Sequence, residues 1–570
     1  MAGIGYYLKA YRRNGFLYSC RRLWEKGRER YAHTYEKMWQ RIAPTEQELE
    51  RQRQTPIEGV GLISVVIPVY NTRPQFLREL ADSLTAQTYP LWEACLYDGA
   101  SDHPDTVAAL DELAAAEPRL KVLHGTANDG ISGNSNHALA MAQGEWIALC
   151  DHDDLLTPDA LYCVAEAIQR ESPDMLYSDE DKISELGEYH HSPHFKPDFC
   201  PDNLNSGNYI CHLLVMRRSL VDAAGGFRSD FDGSQDHDLT MRCAEHTDKI
   251  CHIPRVLYHW RTVGSSMSHQ HLDKCVDASC RAAKEHMERL GRPCTVEAIN
   301  GQPRFHYTLP EKKTVSLVLI DSGDPKTWGY FLYRLGCVDT EVTRKIVVSP
   351  LEQSADDVPG ARWIRWDAGE TVYAALNRAI QLCDTDYVLF LHSGVMMNGR
   401  DWMNELMSYA QRDDVGAVTP QIYDDHSRVI HGGFAVGMDK IVSCRGRGLP
   451  RRVGGWHLMM TTSHNVAAVS LACCMIRRDH LLPFDEGYIT GIGMADWCLR
   501  LGKQGLHHVF TPFAGGRTRD TTTRSWLLCL GSPNEKDAAR FRQAWPDCTD
   551  PCYSPWFSRK KADYSLPKEV

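Results

Sequence analysis

The sequence lacks the features that mark membrane-spanning, secreted and zinc-binding proteins. No segment approaches 18 uninterrupted apolar residues and the N-terminus has no apolar signal-peptide core, so neither a transmembrane helix nor secretion is expected. The 20 cysteines include no CxxC pair, and several lie within apolar runs, where cysteine packs as a small hydrophobic residue. We therefore expect reduced thiols in a cytoplasmic protein.

Positive charge is scarce over most of the chain. The formal net charge of −11 leaves no global basic field, which predicts that nucleic acid is not a partner. Residues 1–45 are the exception, because basic residues there outnumber acidic ones and are interleaved with aromatic residues. Such a segment can contact an anionic membrane peripherally, at the inner face of the cytoplasmic membrane, or dock as a helical hairpin on the protein itself. Both alternatives stay open.

The chain is too long for one hydrophobic core and divides by pattern into four parts. Its 570 residues predict two to four domains. Residues 1–60 form a basic segment with helical spacing. Residues 61–300 alternate β-branched runs with helical patterns, which predicts an α/β domain with a Rossmann-like, mainly parallel sheet. Residues 311–530 repeat this pattern more weakly, and residues 531–570 form a C-terminal tail.

Four consecutive polar residues, Asp151-His152-Asp153-Asp154, are the most informative feature. They follow the apolar run 145–150, which predicts a buried strand, and three carboxylates at a strand end are costly to bury without a positive partner. Mn²⁺ or Mg²⁺ suits carboxylate oxygens, and a cation only half-coordinated by protein keeps positions open for a diphosphate. In isolation, such a motif would more often be a turn at a strand end with solvated acids.

Two further polar clusters end predicted strands in the same part of the chain. Asn71-Thr72 follows the run 62–70, and residues 98–102 follow the run 92–97. Ligands of open α/β sheets bind at the carboxyl ends of the strands. Three such clusters at one edge therefore predict a binding site.

Another acidic cluster, Gln235-Asp236-His237-Asp238, precedes a predicted helix. The helix dipole stabilises carboxylates at this position and keeps them ionised. Asp238 suits the role of a first-turn acid, whereas Asp236 is freer to act as a general base. The alternative is that both residues merely cap the helix.

Residues 311–530 look like a second copy of the first pattern in which the acids are missing. The run 315–320 resembles the first strand, and the segment 387–394 stands where 146–153 stood. His392-Ser393-Gly394 replaces the acidic residues, and Ala495-Asp496 replaces the acidic pair. We therefore expect this copy to be degenerate.

Residues 61–268 resemble the family 2 glycosyltransferases, which are inverting nucleotide-sugar enzymes with the GT-A fold. The matching motifs are, in order, 68–71, 98–102, 128–130, 151–154 and 235–238, followed by 252–261, which looks like the closing segment of bacterial cell-surface polysaccharide transferases. Gln235 departs from the acid that the family often has there. The tandem arrangement resembles large bacterial transferases that build O-antigens, rhamnan-type polymers or capsules.

The resemblance implies a nucleotide-sugar binding role for the first group of matching residues. Pro68, Tyr70 and Asn71 would border the nucleoside. Asp98 would accept a hydrogen bond from the base, and Asp151 would lie near the ribose.

The remaining matching residues would carry the chemistry. Asp153 would bind the metal that bridges both phosphates, and Asp154 would support it or face the sugar. Asp236 would take the proton from the acceptor hydroxyl. Arg261 would contact the phosphates, and His259 is a candidate for a further metal ligand or for a packed histidine.

Three histidines, His190, His191 and His194, are spaced closely enough to suggest a metal site. Because Pro and Gly flank them, we interpret them instead as an exposed loop that faces the acceptor, together with Lys196.

The implied activity is metal-dependent transfer of a hexose from a nucleotide-diphosphate sugar to an oligosaccharide or lipid-linked acceptor in cell-surface polysaccharide synthesis. A nucleotidyltransferase is a rival, but the segment 70–73 is not the Gly-rich basic loop that it favours. A non-catalytic carbohydrate-binding scaffold is a rival for the second copy. No motif fixes the donor sugar, the acceptor or the linkage.

Overall fold

A computed structural model describes residues 34–263, 272–311, 313–324, 327–329, 342–351, 358–367, 369–519 and 534–567. The chain forms two compact units. The first unit comprises the chain up to residue 196 and residues 210–275, and the second comprises residues 197–209 and 276–567. The boundaries drawn from the sequence at residues 60, 300, 311 and 530 stay predictions.

The first unit is built on one nine-stranded sheet. Its strands are β1 (Ile63–Val69), β2 (Trp92–Asp98), β3 (Leu120–His124), β4 (Trp146–Leu149), β5 (Leu155–Leu156), β6 (Met175–Ile183), β7 (His190–His194), β8 (Leu214–Arg217) and β9 (Ile250–Arg261).

Helices connect these strands. They are α1 (Glu46–Gln54), α2 (Pro74–Thr85), α3 (Pro104–Ala116), α4 (Gly130–Met141), α5 (Ala160–Glu171), α7 (Arg218–Ala224) and α8 (Gln235–Ala244), while α6 (Pro201–Ser206) belongs to the second unit. Both α2 and α3 begin with proline, whose missing N–H costs nothing at the first helical position. The apolar face of α2 is buried through Phe76, Leu80 and Leu84.

The order of the strands brings three of the predicted polar clusters to one edge. Strand order is β3-β2-β1-β4-β8-β6-β9-β5, with β7 paired to β6. β1 pairs in parallel with β2 and with β4, so the carboxyl ends of these three strands lie side by side. β1 is buried along its whole length, as expected of a central strand covered on both faces. β8 then runs antiparallel between β4 and β6.

The second unit contains a ten-stranded sheet and two hairpins. The sheet strands are β12 (Val315–Ile320), β13 (Val342–Ser349), β14 (Arg362–Arg365), β15 (Tyr387–His392), β16 (Val395–Met397), β17 (Val415–Tyr423), β18 (Val429–His431), β21 (His464–Val466), β22 (Cys473–Arg477) and β23 (His507–Thr518). The hairpins are β10 (Cys294–Ile299) with β11 (Gln302–Tyr307), and β19 (Phe434–Met438) with β20 (Ile441–Cys444). The later helices of the chain are α9 (Leu272–Arg289), α10 (Val372–Ile380), α11 (Trp402–Ala410), α12 (Ile492–Gly502) and α13 (Glu535–Ala544).

The two sheets have the same topology. The order in the second is β14-β13-β12-β15-β22-β17-β23-β16, with β18 paired to β17, and these nine strands match those of the first sheet. The tenth strand, β21, pairs with β23 and has no counterpart in the first sheet. β12 pairs in parallel with β13 and β15, as β1 does with β2 and β4. The predicted fold class, two tandem α/β units with a Rossmann-like sheet, is confirmed.

The described part of the basic N-terminal segment is helical over residues 34–42. Tyr35 and Met38 of this helix are buried. Residues 1–33, which hold most of the charge from which a membrane contact was predicted, lie outside the described residues. Across the described parts of the chain, no helix has both the length and the apolar character needed to cross a membrane.

Candidate active site

The acidic turn, residues Asp151 to Asp154, joins β4 to β5 at the carboxyl edge of the sheet. The Asp154 N–H donates to the carbonyl of Asp151 at 3.4 Å, which closes the turn. Asp154 is fully buried, whereas the other three residues are half-buried. The turn therefore presents Asp151, His152 and Asp153 outward from one anchored residue.

Asp154 is anchored by β9. Its Oδ2 accepts the Tyr258 hydroxyl at 2.5 Å and its Oδ1 accepts the Arg261 N–H at 2.7 Å. The same Tyr258 hydroxyl accepts the Asp151 N–H at 3.1 Å. Burial, with the Asp153 and Asp151 carboxylates, raises the pKa of Asp154 well above its ordinary value. Tyr258 thus ties both ends of the acidic turn to the sheet.

Burial also raises the pKa of Asp151 above the ordinary carboxyl value. The Asp153 and Asp236 carboxylates add to this shift, while His212 and His152 oppose it. Asp151 and Asp236 are therefore close enough to interact electrostatically, although they lie far apart in the sequence. Acidic groups so placed need a positive partner to be ionised together.

The predicted nucleoside residues meet where β1 and β2 end. Pro68 lies in β1 opposite Tyr97 of β2. The Tyr70 hydroxyl donates to Asp102 at 3.1 Å, and Tyr70 is 39% exposed. Asn71, at φ +50°, donates its N–H to Ser101 Oγ at 2.8 Å, and its Oδ1 accepts the Asp102 N–H at 2.8 Å. The two strand ends are therefore tied together beside an exposed tyrosine.

Asp98 is buried at the end of β2, and both of its carboxylate oxygens have partners. Oδ1 accepts the N–H and hydroxyl of Ser101, and Oδ2 lies 2.9 Å from Nδ1 of His124. Burial lowers the pKa of His124, but the Asp98 and Asp111 carboxylates outweigh this and raise it. Asp98 thus has a structural role in the turn, and its predicted contact with a base stays a prediction.

The two acids of α8 differ as the sequence pattern indicated. Asp238 is fully buried and paired with Arg242, whose Nη2 lies 2.6 Å from Oδ2, and with Arg228. Burial would raise the pKa of Asp238, but these two guanidinium groups lower it. Asp236 is half-buried in the first turn of the helix. Asp238 is therefore structural, and Asp236 is the acid placed toward Asp151.

Arg261 stabilises the acidic turn through a hydrogen bond to its backbone. The residue is buried; Nε donates to the carbonyl of Asp153 at 2.6 Å, Nη1 to the carbonyl of Glu185 at 2.9 Å, and Nη2 to Glu79 at 2.7 Å. With its N–H groups engaged in this way, the guanidinium is held within the protein. Its predicted contact with the phosphates stays a prediction.

His259 lies with Asp181 and His190 rather than with Asp153. Its Nδ1 is 2.6 Å from Asp181 Oδ1, and Nδ1 of His190 is 2.9 Å from Asp181 Oδ2. Neighbouring strand residues point to opposite faces, so His259 and Tyr258 face away from each other. The structure therefore does not bring together the two predicted metal ligands.

Two groups of side chains in the described parts of the chain have ligand atoms within 4.8 Å of one another. They are Asp151, Asp154 and His212, and separately Asp181, His190 and His259. Only the first group includes residues of the acidic turn. Sequence reasoning missed His212, because its position beside the turn depends on the pairing of β8 with β4 and not on any local motif.

The histidines read as an exposed loop form an edge strand instead. His190 to His194 are β7, which pairs with β6, and Nδ1 of His194 lies 3.1 Å from Glu180 Oε1. Lys196, expected to face an acceptor, is fully buried. Its ammonium group donates to the carbonyls of Ser178 and Ile210, both at 2.6 Å. The expectation of exposure was wrong because the pattern gave no sign of buried partners for the lysine.

The second unit lacks this constellation position by position. Trp146 pairs with Arg217 as Tyr387 pairs with Arg477, which fixes the correspondence between the sheets. Equivalent positions follow from the strand pairing and from the buried ion pairs Asp238–Arg242 and Asp496–Arg500. The second unit has Ser349 in place of Asp98, His392 in place of Asp151, Gly394 in place of Asp153, Val395 in place of Asp154, Ala472 in place of His212, Met494 in place of Asp236 and Gly516 in place of Tyr258.

Most of the first unit's sheet lies in a segment that matches a known protein family. Residues 64–225 match the family described as Glycosyl transferase family 2. The chain is 32% identical over 545 residues to the "Uncharacterized protein y4gI" of Sinorhizobium fredii, covering 90% of this chain and 59% of that protein. It is 33% identical over 470 residues to the O-antigen biosynthesis protein RfbC of Myxococcus xanthus, covering 79% of this chain and 36% of that protein. The chain thus spans between about a third and three fifths of the length of these relatives.

Solved structures with some likeness include residues 1–349 of TarS from S. aureus in complex with UDP-GlcNAc. The identity is 21%, the TM-score is 0.34, and the match covers 40% of this chain and 66% of that one.

Proposed function

We propose that the first unit, whose residues 64–225 match the family described as Glycosyl transferase family 2, is an inverting hexosyltransferase. It transfers a sugar from a nucleotide-diphosphate donor to an oligosaccharide or lipid-linked acceptor in cell-surface polysaccharide synthesis. One relative named for O-antigen biosynthesis supports this assignment.

The observation that carries the proposal is the meeting of three elements at one sheet edge. The acidic turn follows β4, the Asn71 and Asp98 turns follow β1 and β2, and Asp236 acts electrostatically on Asp151 from the first turn of α8. Binding sites of open α/β sheets lie at this edge. This arrangement supports a nucleoside surface, a diphosphate site and a general base at one edge of the sheet.

The residues of the acidic turn fit a divalent cation, Mn²⁺ or Mg²⁺. The pKa values of Asp151 and Asp154 are raised, and the nearby Arg261 is directed at Glu79 and at backbone carbonyls rather than at the acidic side chains. Asp153, with Asp151, would hold the ion. When bound, such an ion offsets the negative charge that develops on a departing nucleoside diphosphate.

Asp236 is proposed as the general base. A sugar hydroxyl is a weak nucleophile until its proton is taken during attack, and a carboxylate placed at that hydroxyl can accept the proton. Attack on the face opposite the departing diphosphate inverts the anomeric carbon. The Asp238 carboxylate, buried in ion pairs with Arg228 and Arg242, holds the helix end in position.

The test uses the purified full chain and a panel of nucleotide-diphosphate sugars with Mn²⁺. We expect at least one donor to raise the melting temperature and to be hydrolysed slowly, with release of nucleoside diphosphate. Asp236→Asn should keep donor binding but lose turnover by about 10²- to 10⁴-fold, the range of a general base. Asp153→Ala should lose the metal-dependent stabilisation.

The matched control is Asp248→Asn, which changes an exposed acid of the same unit. Its donor binding and turnover should equal those of the unchanged chain. If no donor of the panel binds or is hydrolysed, the transferase proposal is wrong.

We propose further that the second unit, predicted at residues 311–530, has no transfer activity of this kind. The positions equivalent to Asp153 and Asp236 hold Gly394 and Met494, which offer neither a ligand nor a base. Binding of an acceptor glycan remains open to such a scaffold. Met494→Ala should therefore leave turnover of the full chain within twofold, measured with the donor found above.

A cytoplasmic protein held at the inner face of the cytoplasmic membrane is the location we propose. The support is the excess of basic residues in residues 1–45. The full chain should cosediment with vesicles containing anionic lipid at low salt and not with neutral vesicles. Equal sedimentation with both kinds of vesicle would contradict this proposal.

A further inference from the structure

His212 lies next to the acidic turn because of the way β8 joins the sheet. β8 runs antiparallel to β4, and the last registered pair is Leu149 with Leu214. Two residues beyond that pair, Asp151 of the turn faces His212. The imidazole Nε2 is 3.7 Å from Asp151 Oδ2. This gap is too long for a hydrogen bond. It is short enough for one ion to bind both atoms, because two atoms that are each about 2.1 Å from an ion lie at most about 4.2 Å apart.

The imidazole ring of His212 is buried beside the acidic turn, and its Nε2 is the ring nitrogen that faces Asp151. His212 is only 9% exposed. With Asp151 and Asp154, the ring forms a group whose ligand atoms lie within 4.8 Å.

Packing and backbone contacts hold the ring in this place. It stacks on Tyr258, with centroids 4.5 Å apart and planes at 11°, and meets Trp260 edge-on at 5.8 Å. The His212 N–H donates to Glu180 at 2.9 Å, and its carbonyl accepts the Lys196 ammonium group. A ligand fixed before the ion binds loses little conformational entropy on binding.

Comparison with the second unit indicates that the role of His212 is linked to the acidic residues rather than to the fold. The His392 N–H there donates to the carbonyl of Ala472, so Ala472 occupies the position of His212 and His392 that of Asp151. The strands and their pairing are kept, while the imidazole and the carboxylates are lost together.

We propose that His212 is a ligand of the divalent cation, together with Asp151 of the acidic turn. This inference rests on the proposed function, since it completes the ion site of the same transferase. Imidazole is a softer ligand than a carboxylate and binds the transition-metal ion Mn²⁺ better than it binds Mg²⁺, so the site should prefer manganese over magnesium.

The test is pulsed EPR on the full chain with one equivalent of Mn²⁺ and no nucleotide. A directly bound imidazole gives ¹⁴N modulation of the manganese signal. We expect this modulation in the unchanged chain and its loss in His212→Phe, which keeps the aromatic stack on Tyr258. The apparent affinity for Mn²⁺ in an EPR titration should fall at least tenfold in the same variant.

His152→Ala and His190→Ala are the matched controls, since both remove other candidate nitrogen ligands, and both should keep the ¹⁴N signal. The exchange-protection pattern of His212→Phe should match that of the unchanged chain, which excludes unfolding as the cause. Absence of ¹⁴N modulation in the unchanged chain, or its persistence in His212→Phe, would overturn the inference. Donor hydrolysis measured on the same preparation tests the transferase separately, since it can occur with an ion held by oxygen ligands alone.

Discussion

Lys196 offers the sharpest test of how the first unit supports its site. The side chain is fully buried, and its ammonium group donates to the carbonyls of Ser178, Ile210 and His212. It also lies 3.3 Å from Glu180 Oε2. The carbonyl of His212 and, through Glu180, the N–H of His212 are thus fixed by one buried ion pair. The change to make is Lys196→Met, which keeps the length of the side chain and removes its charge.

The expected loss of stability follows from the groups left behind. Burial alone would raise the pKa of Glu180, but Lys196 and His194 hold it below the ordinary value. Without the lysine, a buried carboxylate and three carbonyls lose a partner. Removing one member of a buried ion pair typically costs about 3–5 kcal/mol of unfolding free energy. With a urea m-value of about 3 kcal/mol/M, the unfolding midpoint of this unit should fall by roughly 1–1.7 M.

The pH dependence has a definite sign. A carboxyl whose pKa is lowered by folding contributes stability above its ordinary pKa of about 4.3, and this stability is lost as the pH falls through the folded-state value. The loss of unfolding free energy caused by Lys196→Met should therefore be largest at pH 7. It should shrink as the pH falls, because the buried Glu180 takes up a proton more readily without Lys196 beside it.

Urea unfolding followed by hydrogen exchange on peptides spanning β6 and β8 reports on the first unit alone. The matched variant is Lys196→Met combined with Glu180→Gln, which removes both charges and keeps an acceptor for the His212 N–H. The double change should lower the unfolding free energy by less than the sum of the two single changes. If Lys196→Met lowers the unfolding free energy by less than about 1 kcal/mol, the buried ion pair does not support the site as argued.

Two further predictions concern the anchors of the acidic turn. Tyr258→Phe removes the hydroxyl that joins Asp154 to the Asp151 N–H, so it should lower the unfolding free energy by about 2–3 kcal/mol and weaken Mn²⁺ binding in an EPR titration. An unchanged midpoint in urea would contradict this. Asp154→Asn should make the metal-free protein more stable at pH 8 than the unchanged chain. The raised pKa of Asp154 means that stability present below about pH 3.9 is lost as the pH rises, by up to about 1.4 kcal/mol per pH unit. Parallel stability curves from pH 4 to 8 for the two proteins would refute it.

Local patterns in the sequence were sufficient to locate the elements that form the sheet edge. The run 62–70 predicted β1, observed at Ile63–Val69, and the run 92–97 predicted β2, observed at Trp92–Asp98. These predictions succeed because burial on both faces produces continuous apolar runs bounded by polar turns. The equivalence of the two units followed from the same kind of signal.

Contacts between strands that are distant in the sequence could not be predicted from local patterns. His212 lies beside Asp151 only because β8 pairs antiparallel with β4. The two strands are distant in the sequence, and no motif links them. The direction of a side chain depends on register, and one step along β9 separates Tyr258, which reaches the acidic turn, from His259, which faces Asp181. Lys196 looked like a surface cation because the carbonyls that surround it carry no mark in the sequence.

The second unit separates what the fold requires from what the chemistry requires. Asp238 pairs with Arg242 across one helical turn, and Asp496 pairs with Arg500 in the same way. Since both units keep this pair, it belongs to the helix and the fold. Asp236 has no such counterpart, because Met494 stands in its place two residues before the retained aspartate. The acid that is lost together with the acidic turn is the one expected to act on substrate, whereas the acid that survives without the turn is structural.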